Sequence, residues 1–237
     1  MSAARDDGPA PGRAALLAGV TGLVGSGLLE RVLAADDYPQ VHALTRRPLR
    51  LAAPALHEHV VDFASLGRLD LGVQIDVAFC ALGTTMRAAG SREAFRRVDH
   101  DAIVAVAELA LRHRARRFVL VSSAGADPDA RNFYLRVKGD TEVAVSGLGF
   151  AAVDLLRPGL LLGRRQEPRP LEQMSGRIMR LANPLFKGSL ARYRAIDAND
   201  VAAAMVAAAR RTTRGATVYE GANLSDLARS ATTADRC

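Results

Sequence analysis

The sequence predicts an α/β fold, a doubly wound parallel sheet with helices on both faces, formed by a single domain. The first observation is the alternation of short apolar segments with longer amphipathic segments from residue 14 to residue 156, which is typical of repeated βαβ units. The second is segment 76–82, which is apolar almost throughout, as strands covered on both faces are. The third is the length of 237 residues, sufficient for one large core.

Each predicted element follows from its local pattern of apolar and turn-forming residues. Strands are predicted at residues 14–19, 40–45, 58–63, 76–82, 117–122, 151–156 and 217–220. Helices are predicted at residues 23–35, 93–113, 131–146, 171–181 and 201–210. Together they place one domain at residues 14–229, preceded by a flexible leader at 1–13 and followed by a loose tail at 230–237. Segment 164–195 is irregular and rich in Arg, Pro and Gly, and we expect the substrate contacts there.

The composition indicates a globular protein of a reducing compartment. The two cysteines, Cys80 and Cys237, form no disulfide framework, and residues 1–13 lack the apolar core of a signal peptide. We therefore expect a cytoplasmic protein without a membrane contact, since every apolar run in the sequence is too short for a membrane span. The net charge of +7 does not by itself indicate nucleic-acid binding, because the arginines are scattered and Trp is absent.

A glycine-rich turn between the first predicted strand and the first predicted helix indicates a dinucleotide site. Gly19 permits a tight turn, Gly22 lets a pyrophosphate approach, and Gly25 lets the helix pack close to the strand. The positive end of the helix favours the phosphates, and their site is completed by the backbone of the other turn residues, Thr21, Leu23 and Val24. The alternative is a purely structural turn.

The residues after the second predicted strand favour NADP(H) over NAD(H). An NAD-binding protein of this kind carries an acidic residue about 20 positions beyond the glycines, where it binds the ribose 2′-hydroxyl. Arg46 and Arg47 stand there in this chain and could clamp a 2′-phosphate. The alternative is that both are ordinary surface arginines of an arginine-rich protein.

Two further turns at the carboxyl ends of predicted strands extend the cofactor site, because open α/β sheets bind their ligands at that edge. Asp62 and Phe63 could bind the adenine, and the alternative for Asp62 is a helix N-cap. Leu82, Gly83 and Thr84 form a small-residue turn after the fourth strand, where Gly83 lets the chain pass beside the cofactor.

Tyr134 and Lys138 lie four residues apart on a predicted helix and therefore share one face. An ammonium near a phenol stabilises the phenolate, which suits Tyr134 to act as the general acid of a carbonyl reduction. Ser122 and Ser123 close the preceding strand, and Ser123, or alternatively Ser122, would orient the substrate oxygen. Lys138 is one of only two lysines, which fits a need for a compact charge that reaches ribose hydroxyls. The alternative is a chance spacing on a helix surface.

The glycine turn, the Ser-Ser strand end and the Tyr-x-x-x-Lys helix together resemble the short-chain dehydrogenase/reductase superfamily. More narrowly, the chain resembles its atypical Tat-interacting-protein oxidoreductase-like branch, over roughly residues 16–196. The segments that carry this narrower resemblance are Cys80-Ala81-Leu82-Gly83-Thr84-Thr85, Phe95-Arg96-Arg97-Val98-Asp99, Ser122-Ser123-Ala124-Gly125-Ala126-Asp127, Tyr134-Leu135-x-Val137-Lys138-Gly139 and Leu156-Arg157-Pro158-Gly159.

The resemblance implies a Rossmann fold, NADP(H) bound through the glycine turn and the second-strand arginines, and a Ser-Tyr-Lys catalytic group. It also implies that Arg157, Pro158 and Gly159 line the nicotinamide pocket, the alternative being that Pro158 simply ends the strand. Members of this branch are linked to regulation as well as to redox chemistry.

The leading hypothesis is an NADPH-dependent reductase of a small carbonyl or quinone-type compound, with Tyr134 as general acid. The alternative is an NADPH-binding regulatory or interaction protein with little or no turnover, which would act through a protein partner. Neither the substrate nor the oligomeric state follows from these motifs. No metal site is expected, because the five histidines do not cluster with cysteine in the sequence.

Overall fold

Nine strands are present in this computed structural model, over the residues that the structure describes, 14–35, 37–163 and 192–234. They are β1 (Ala14–Ala18), β2 (Gln40–Thr45), β3 (Leu56–Val60), β4 (Val77–Cys80), β5 (Arg117–Val121), β6 (Ala152–Arg157), β7 (Leu161–Leu162), β8 (Ile196–Asp197) and β9 (Gly215–Glu220). Seven of them form one parallel sheet in the order β3-β2-β1-β4-β5-β6-β9, and β7 pairs with β8 separately.

Helices cover both faces of this sheet, as the apolar strands require. They are α1 (Leu23–Ala34), α2 (Met86–Ala89), α3 (Arg92–Arg96), α4 (Ala102–Arg112), α5 (Phe133–Ser146), α6 (Ala198–Ala209) and α7 (Ala222–Ala234). The core on one face contains residues of α1, α6 and α7. The core on the other contains residues of α4 and α5. The predicted fold class, a Rossmann-type doubly wound sheet in a single domain, is confirmed.

The strand order places a crevice at the carboxyl end of β1. From β1 the sheet extends through β2 and β3 on one side and through β4, β5 and β6 on the other. The connections therefore leave β1 and β4 in opposite directions, and the turns after these strands separate to form the crevice in which such sheets bind their ligands. All residues of β1 and β4 are buried, so the edge of the crevice is fixed by the core.

Several element boundaries differ from the predicted ones. The third strand begins earlier, at Leu56, and ends at Val60, because Asp62 caps a short 3₁₀ helix, Phe63–Arg68, directly after it. The helix predicted at 93–113 consists of α3, a π-helical turn, Arg97–Asp101, and α4. The first residue of α6 is Ala198, because the Asp197 carboxylate caps the helix by accepting the Asn199 N–H.

The prediction of a loose tail from residue 230 is wrong for its first part, since α7 continues to Ala234 and buries Leu227 and Ala228 against the core. The strands β7 and β8 were not predicted, because each has only two residues and no period can be read from two positions. The predicted leader 1–13 and the predicted helix 171–181 lie outside the described residues, as does most of the segment 164–195.

Candidate functional site

The glycine turn after β1 packs directly on the end of β4. Gly19 has a φ of +86°, and a Cβ there would stand 2.5 Å from the carbonyl carbon of Ala81. A Cβ at Gly25 would stand 2.0 Å from the Gly19 oxygen, and the Gly22 N–H donates to that same oxygen at 2.9 Å. The turn is therefore built from backbone on backbone, and side chains at Gly19 and Gly25 are excluded by contacts within the protein.

The start of α1 fits an anion. Gly22 is its N-cap and has no side chain to cap the helix, and the first turn carries no acidic residue. Thr21 and Gly22 are exposed, whereas Val24 is buried in the core and Leu23 is half-buried, so these last two could meet a cofactor only through backbone or a partly exposed face. Bare N–H groups at a positive helix end are the usual phosphate site of this fold.

Arg46 and Arg47 follow β2 at the same edge of the sheet, and both side chains are exposed. Their backbone lies in a short loop, residues 45–49, whose two ends are held by one carboxylate. Glu58 accepts a hydrogen bond from the Thr45 hydroxyl at 3.0 Å and another from the Leu49 N–H at 2.5 Å. The sequence did not indicate this contact, because Glu58 lies on an edge strand, where a charged residue is expected at the surface.

Asp62 adopts the alternative that the sequence left open. Its Oδ1 accepts the Ala64 N–H at 3.0 Å, which makes Asp62 the N-cap of the 3₁₀ helix. Phe63 is half-buried against the core of the α4 and α5 face. An adenine contact by Asp62, through the remaining acceptor capacity of its carboxylate or through its backbone, stays a prediction.

Lys138 forms a buried ion pair with Asp99 below the turn that follows β4. The Nζ of Lys138 lies 2.7 Å from Oδ1 of Asp99, and both side chains are almost fully buried. The other oxygen of Asp99 accepts the Thr84 N–H at 2.8 Å, and its backbone oxygen accepts the Thr141 hydroxyl at 2.8 Å. Asp99 thus connects the lysine helix to the small-residue turn.

Asp99 is a site residue to which the sequence motifs assigned no role. It lies in the π-helical turn, whose wider backbone places its side chain on the buried side of the helix. A Cβ on Gly83 would stand 3.3 Å from Oδ1 of Asp99 and 3.6 Å from Nζ of Lys138. Gly83 therefore lies immediately beside the ion pair. Leu82 next to it is half-buried.

Tyr134 stands at the start of α5, one turn before Lys138. Asn132 fixes this start, because its Oδ1 accepts the N–H groups of Tyr134 and Leu135. The ring of Tyr134 is half-buried and packs on Phe95, with ring centroids 5.4 Å apart. Tyr134 and Lys138 both lie on α5, four residues apart, and their joint catalytic role stays a prediction.

The two serines at the end of β5 differ in their surroundings. The Oγ of Ser122 is buried and has no hydrogen-bond partner among the described residues. Ser123 is half-buried, and its Oγ lies 3.5 Å from the Ala124 oxygen. A buried hydroxyl without a partner costs free energy. A ligand bound at this edge of the sheet could provide the hydrogen bond that the Ser122 hydroxyl lacks.

Arg157, Pro158 and Gly159 lie beside these serines. Backbone bonds join the two turns, from the Ser122 N–H to the Leu156 oxygen at 2.7 Å and from the Ala124 N–H to the Pro158 oxygen at 2.9 Å. A Cβ at Gly159 would stand 2.3 Å from the Arg194 oxygen. These contacts fix the backbone of the 157–159 turn next to Ser122 and Ser123, the serines predicted to orient the substrate oxygen.

The Arg157 side chain is committed to Glu142 of α5. Its Nε and Nη2 donate to both carboxylate oxygens, at 3.0, 3.2 and 2.5 Å. The hydrogen bonds with Glu142 raise the pKa of the Arg157 guanidinium above its ordinary value. The predicted contribution of Arg157 to a nicotinamide pocket would thus come through its backbone and the stem of its side chain.

The only cysteine among the described residues does not provide a nucleophile. Cys80 ends β4 and is completely buried, and this burial raises the pKa of its thiol to about 12. In the part of the chain that the structure describes, no group of three or more His, Cys, Asp or Glu is placed to hold a metal ion. The predicted reactive groups stay the hydroxyls of Ser122, Ser123 and Tyr134 and the ammonium of Lys138.

The fold and this edge define a class: Rossmann-fold proteins that bind a dinucleotide at a glycine turn. The family model "NAD dependent epimerase/dehydratase family" matches residues 15–220. The chain belongs to this family.

Two relatives refine the placement. The chain is 35% identical over 212 residues to "Protein FMP52, mitochondrial" of Coccidioides immitis (strain RS), covering 84% of this chain and 86% of that protein. It is 38% identical over 175 residues to "Protein HTATIP2" of Rattus norvegicus, covering 72% of each. The resemblance to the atypical branch of the short-chain dehydrogenase/reductases is confirmed by these relatives.

Solved structures show the same fold. "MoeE5 in complex with UDP-glucose and NAD" superposes with a TM-score of 0.67 at 20% identity, covering 93% of this chain and 82% of that chain. The uronate dehydrogenase from Agrobacterium tumefaciens superposes with a TM-score of 0.61 at 17% identity, covering 87% of this chain and 75% of the other.

The relatives also correct the predicted location. Proteins named FMP52 are described as mitochondrial in Coccidioides immitis and in Saccharomyces cerevisiae, the latter 37% identical over 155 residues. The cytoplasmic prediction is therefore wrong. Cysteine usage, on which that prediction depends, does not separate the cytosol from the mitochondrion. None of the helices over residues 14–35, 37–163 and 192–234 has the length and apolarity needed to cross a membrane.

Proposed function

We propose that this protein is an NADPH-dependent reductase of a small carbonyl or quinone-type compound. One observation carries the proposal: the three residues after β4 contact both halves of the site. Ala81 packs against Gly19 of the glycine turn, and Gly83 lies beside the Lys138–Asp99 pair. A dinucleotide whose pyrophosphate rested on the start of α1 would thus extend along this turn toward the helix of Tyr134.

The residues present fit such a cofactor. The glycine turn offers backbone where side chains are excluded, and the buried Oγ of Ser122 lacks a partner among the described residues. Bound NADPH would supply a hydride from C4 of its nicotinamide to the carbonyl carbon. Tyr134 would donate the proton to the carbonyl oxygen, while Ser123, or alternatively Ser122, would orient that oxygen. Lys138 would hold the ribose hydroxyls, and Asp99 would hold Lys138.

A direct test is a panel of aldehydes, ketones and quinones assayed with NADPH and with NADH. We expect consumption of NADPH at 340 nm with at least one class of compound, and a lower kcat/KM with NADH. Absence of turnover across the panel by protein that binds NADPH tightly in calorimetry would contradict the reductase.

The preference for NADPH is attributed to the arginines after β2. Replacing both Arg46 and Arg47 by Ala is expected to weaken NADPH binding by about 10- to 100-fold, because charge-assisted bonds to a 2′-phosphate are lost. NADH binding should change by less than about threefold, since NADH has no phosphate there. Dissociation constants for both cofactors, from nucleotide fluorescence titrations, provide the measurement. Equal losses for the two cofactors would refute the role.

A second candidate function is cofactor-dependent binding of a protein partner with little turnover. The Asp99 carboxylate favours it, because an ammonium already paired at 2.7 Å exerts a weaker field on a neighbouring phenol. This candidate predicts tight NADPH binding without turnover and a partner whose capture requires NADPH. A partner captured equally well after removal of the nucleotide would contradict this version.

A further inference from the structure

We propose that Glu58 is a positioning residue that shapes the cofactor-selecting loop, residues 45–49, and thereby sets the discrimination between NADPH and NADH. The inference rests on the proposed function, because it requires Arg46 and Arg47 to bind the 2′-phosphate. Glu58 itself would not touch the cofactor. It would act through the backbone that carries the two arginines.

One oxygen of Glu58 closes the cofactor-selecting loop. Oε1 accepts both the Thr45 hydroxyl, at 3.0 Å, and the Leu49 N–H, at 2.5 Å. Thr45 is the last residue of β2, and Leu49 follows Pro48 at the far end of the loop. The two hydrogen bonds therefore hold together the two ends of the cofactor-selecting loop, which carries Arg46 and Arg47.

Further contacts leave the loop little freedom. The Thr45 oxygen accepts the Val61 N–H at 2.8 Å, and the Thr45 side chain is buried. Leu49 packs against the core of the α1 face. Pro48 restricts the backbone of Arg47 to extended conformations. The backbone is thus fixed while the guanidinium groups are exposed, which lowers the entropy that a bound phosphate would have to overcome.

Glu58 also lies on the correct face of the sheet. It pairs with Ala43 in the register of β2 and β3, and side chains of residues two apart on β2 share a face, so Glu58, Ala43 and Thr45 point the same way. Ala43 belongs to the core that α1 covers. The glycine turn leads into α1 on this face, so the closed loop borders the side on which the adenosine end of a dinucleotide would lie.

Substitutions of Glu58 can separate its negative charge from its capacity to accept hydrogen bonds. A carboxylate oxygen accepts two donors without offering one of its own. A Gln side chain keeps an amide oxygen that can accept the Leu49 N–H but removes the negative charge. An Ala side chain removes both bonds. If closure of the loop is what matters, Glu58→Gln should behave as wild type and Glu58→Ala should not.

The experiment measures dissociation constants of NADPH and NADH for wild type, Glu58→Ala, Glu58→Gln and Thr45→Val. For Glu58→Ala we expect the preference for NADPH over NADH to fall about tenfold, with NADH affinity within about threefold of wild type. Thr45→Val removes one of the two bonds and should give a smaller fall in the same direction. Glu58→Gln should retain the preference within about threefold.

Asp70→Ala is the matched control. The Asp70 carboxylate also accepts a loop N–H, from Gly72, but this loop precedes β4 and therefore lies at the amino ends of the strands, opposite the predicted cofactor site. The Asp70→Ala variant should leave the preference unchanged. A Glu58→Ala protein that binds NADH normally and keeps its full NADPH preference would overturn the inference, as would a loss in Glu58→Gln equal to that in Glu58→Ala. If instead the Arg46 and Arg47 variant shows no NADPH-specific loss, the proposed cofactor preference has failed.

Discussion

Replacing Tyr134 by Phe is expected to lower kcat for carbonyl reduction by at least about 100-fold, because a positioned general acid contributes roughly 10²- to 10⁴-fold. The phenol ring packs on Phe95, and a Phe ring keeps that contact. The start of α5 is fixed by Asn132 through backbone N–H groups, which the substitution does not touch. The loss should therefore come from the hydroxyl alone, and it is measured as steady-state kcat with saturating NADPH.

Tyr219→Phe provides the matched control for Tyr134→Phe. Tyr219 is buried on β9, and its hydroxyl lies 3.3 Å from Oδ1 of Asp154, whose carboxylate pairs with Arg117 at the start of β5. Removing this hydroxyl should cost about 1 kcal/mol of stability but leave kcat within about twofold of wild type. The dissociation constant of NADPH should be unchanged in both variants. Equal turnover by wild type and Tyr134→Phe would exclude Tyr134 as the proton donor.

The sequence predicted the parts of the site that depend on local backbone chemistry. The bounds of β2 are those predicted, Gln40–Thr45, because its apolar residues lie in a short segment bounded by Pro39 and Pro48. The glycine turn could be predicted because backbone packs on backbone at Gly19 and Gly25, and only glycine leaves room for this contact. The positions of Tyr134 and Lys138 followed from helical spacing.

The parts that could not be predicted depend on contacts between elements far apart in the chain. Asp99 is buried in a π-helical turn, whose extra residue interrupts the 3.6-residue periodicity of the apolar positions. Glu58 bonds to Thr45 and Leu49, and Glu142 bonds to Arg157, only because the sheet brings these residues together. Charged residues at such positions look like surface residues until the tertiary structure supplies their partners.

Helix propensity and tertiary packing make opposite predictions for Gly25→Ala. Gly25 lies in the first turn of α1, and helix propensity alone favours Ala over Gly there by about 1 kcal/mol. The structure places the new Cβ 2.0 Å from the Gly19 oxygen and 3.0 Å from the Cα of Val20, both backbone atoms. Relief of that clash requires α1 to move away from β1, which is the kind of overpacking that costs up to about 3 kcal/mol.

We therefore expect Gly25→Ala to lower the free energy of unfolding by about 2 kcal/mol, the clash outweighing the gain in propensity. NADPH affinity should fall more than about 100-fold, because the shifted turn no longer presents its N–H groups together and each charge-assisted bond contributes about 1.5–3 kcal/mol. Urea denaturation with and without NADPH measures both effects.

Gly67→Ala is the control, since Gly67 lies in the 3₁₀ helix and a Cβ there meets nothing within 4 Å. The free energy of unfolding of the Gly67→Ala protein should differ from that of wild type by less than about 0.5 kcal/mol. A Gly25→Ala protein that is more stable than wild type and is still stabilised by NADPH would show that the turn does not require glycine at this position.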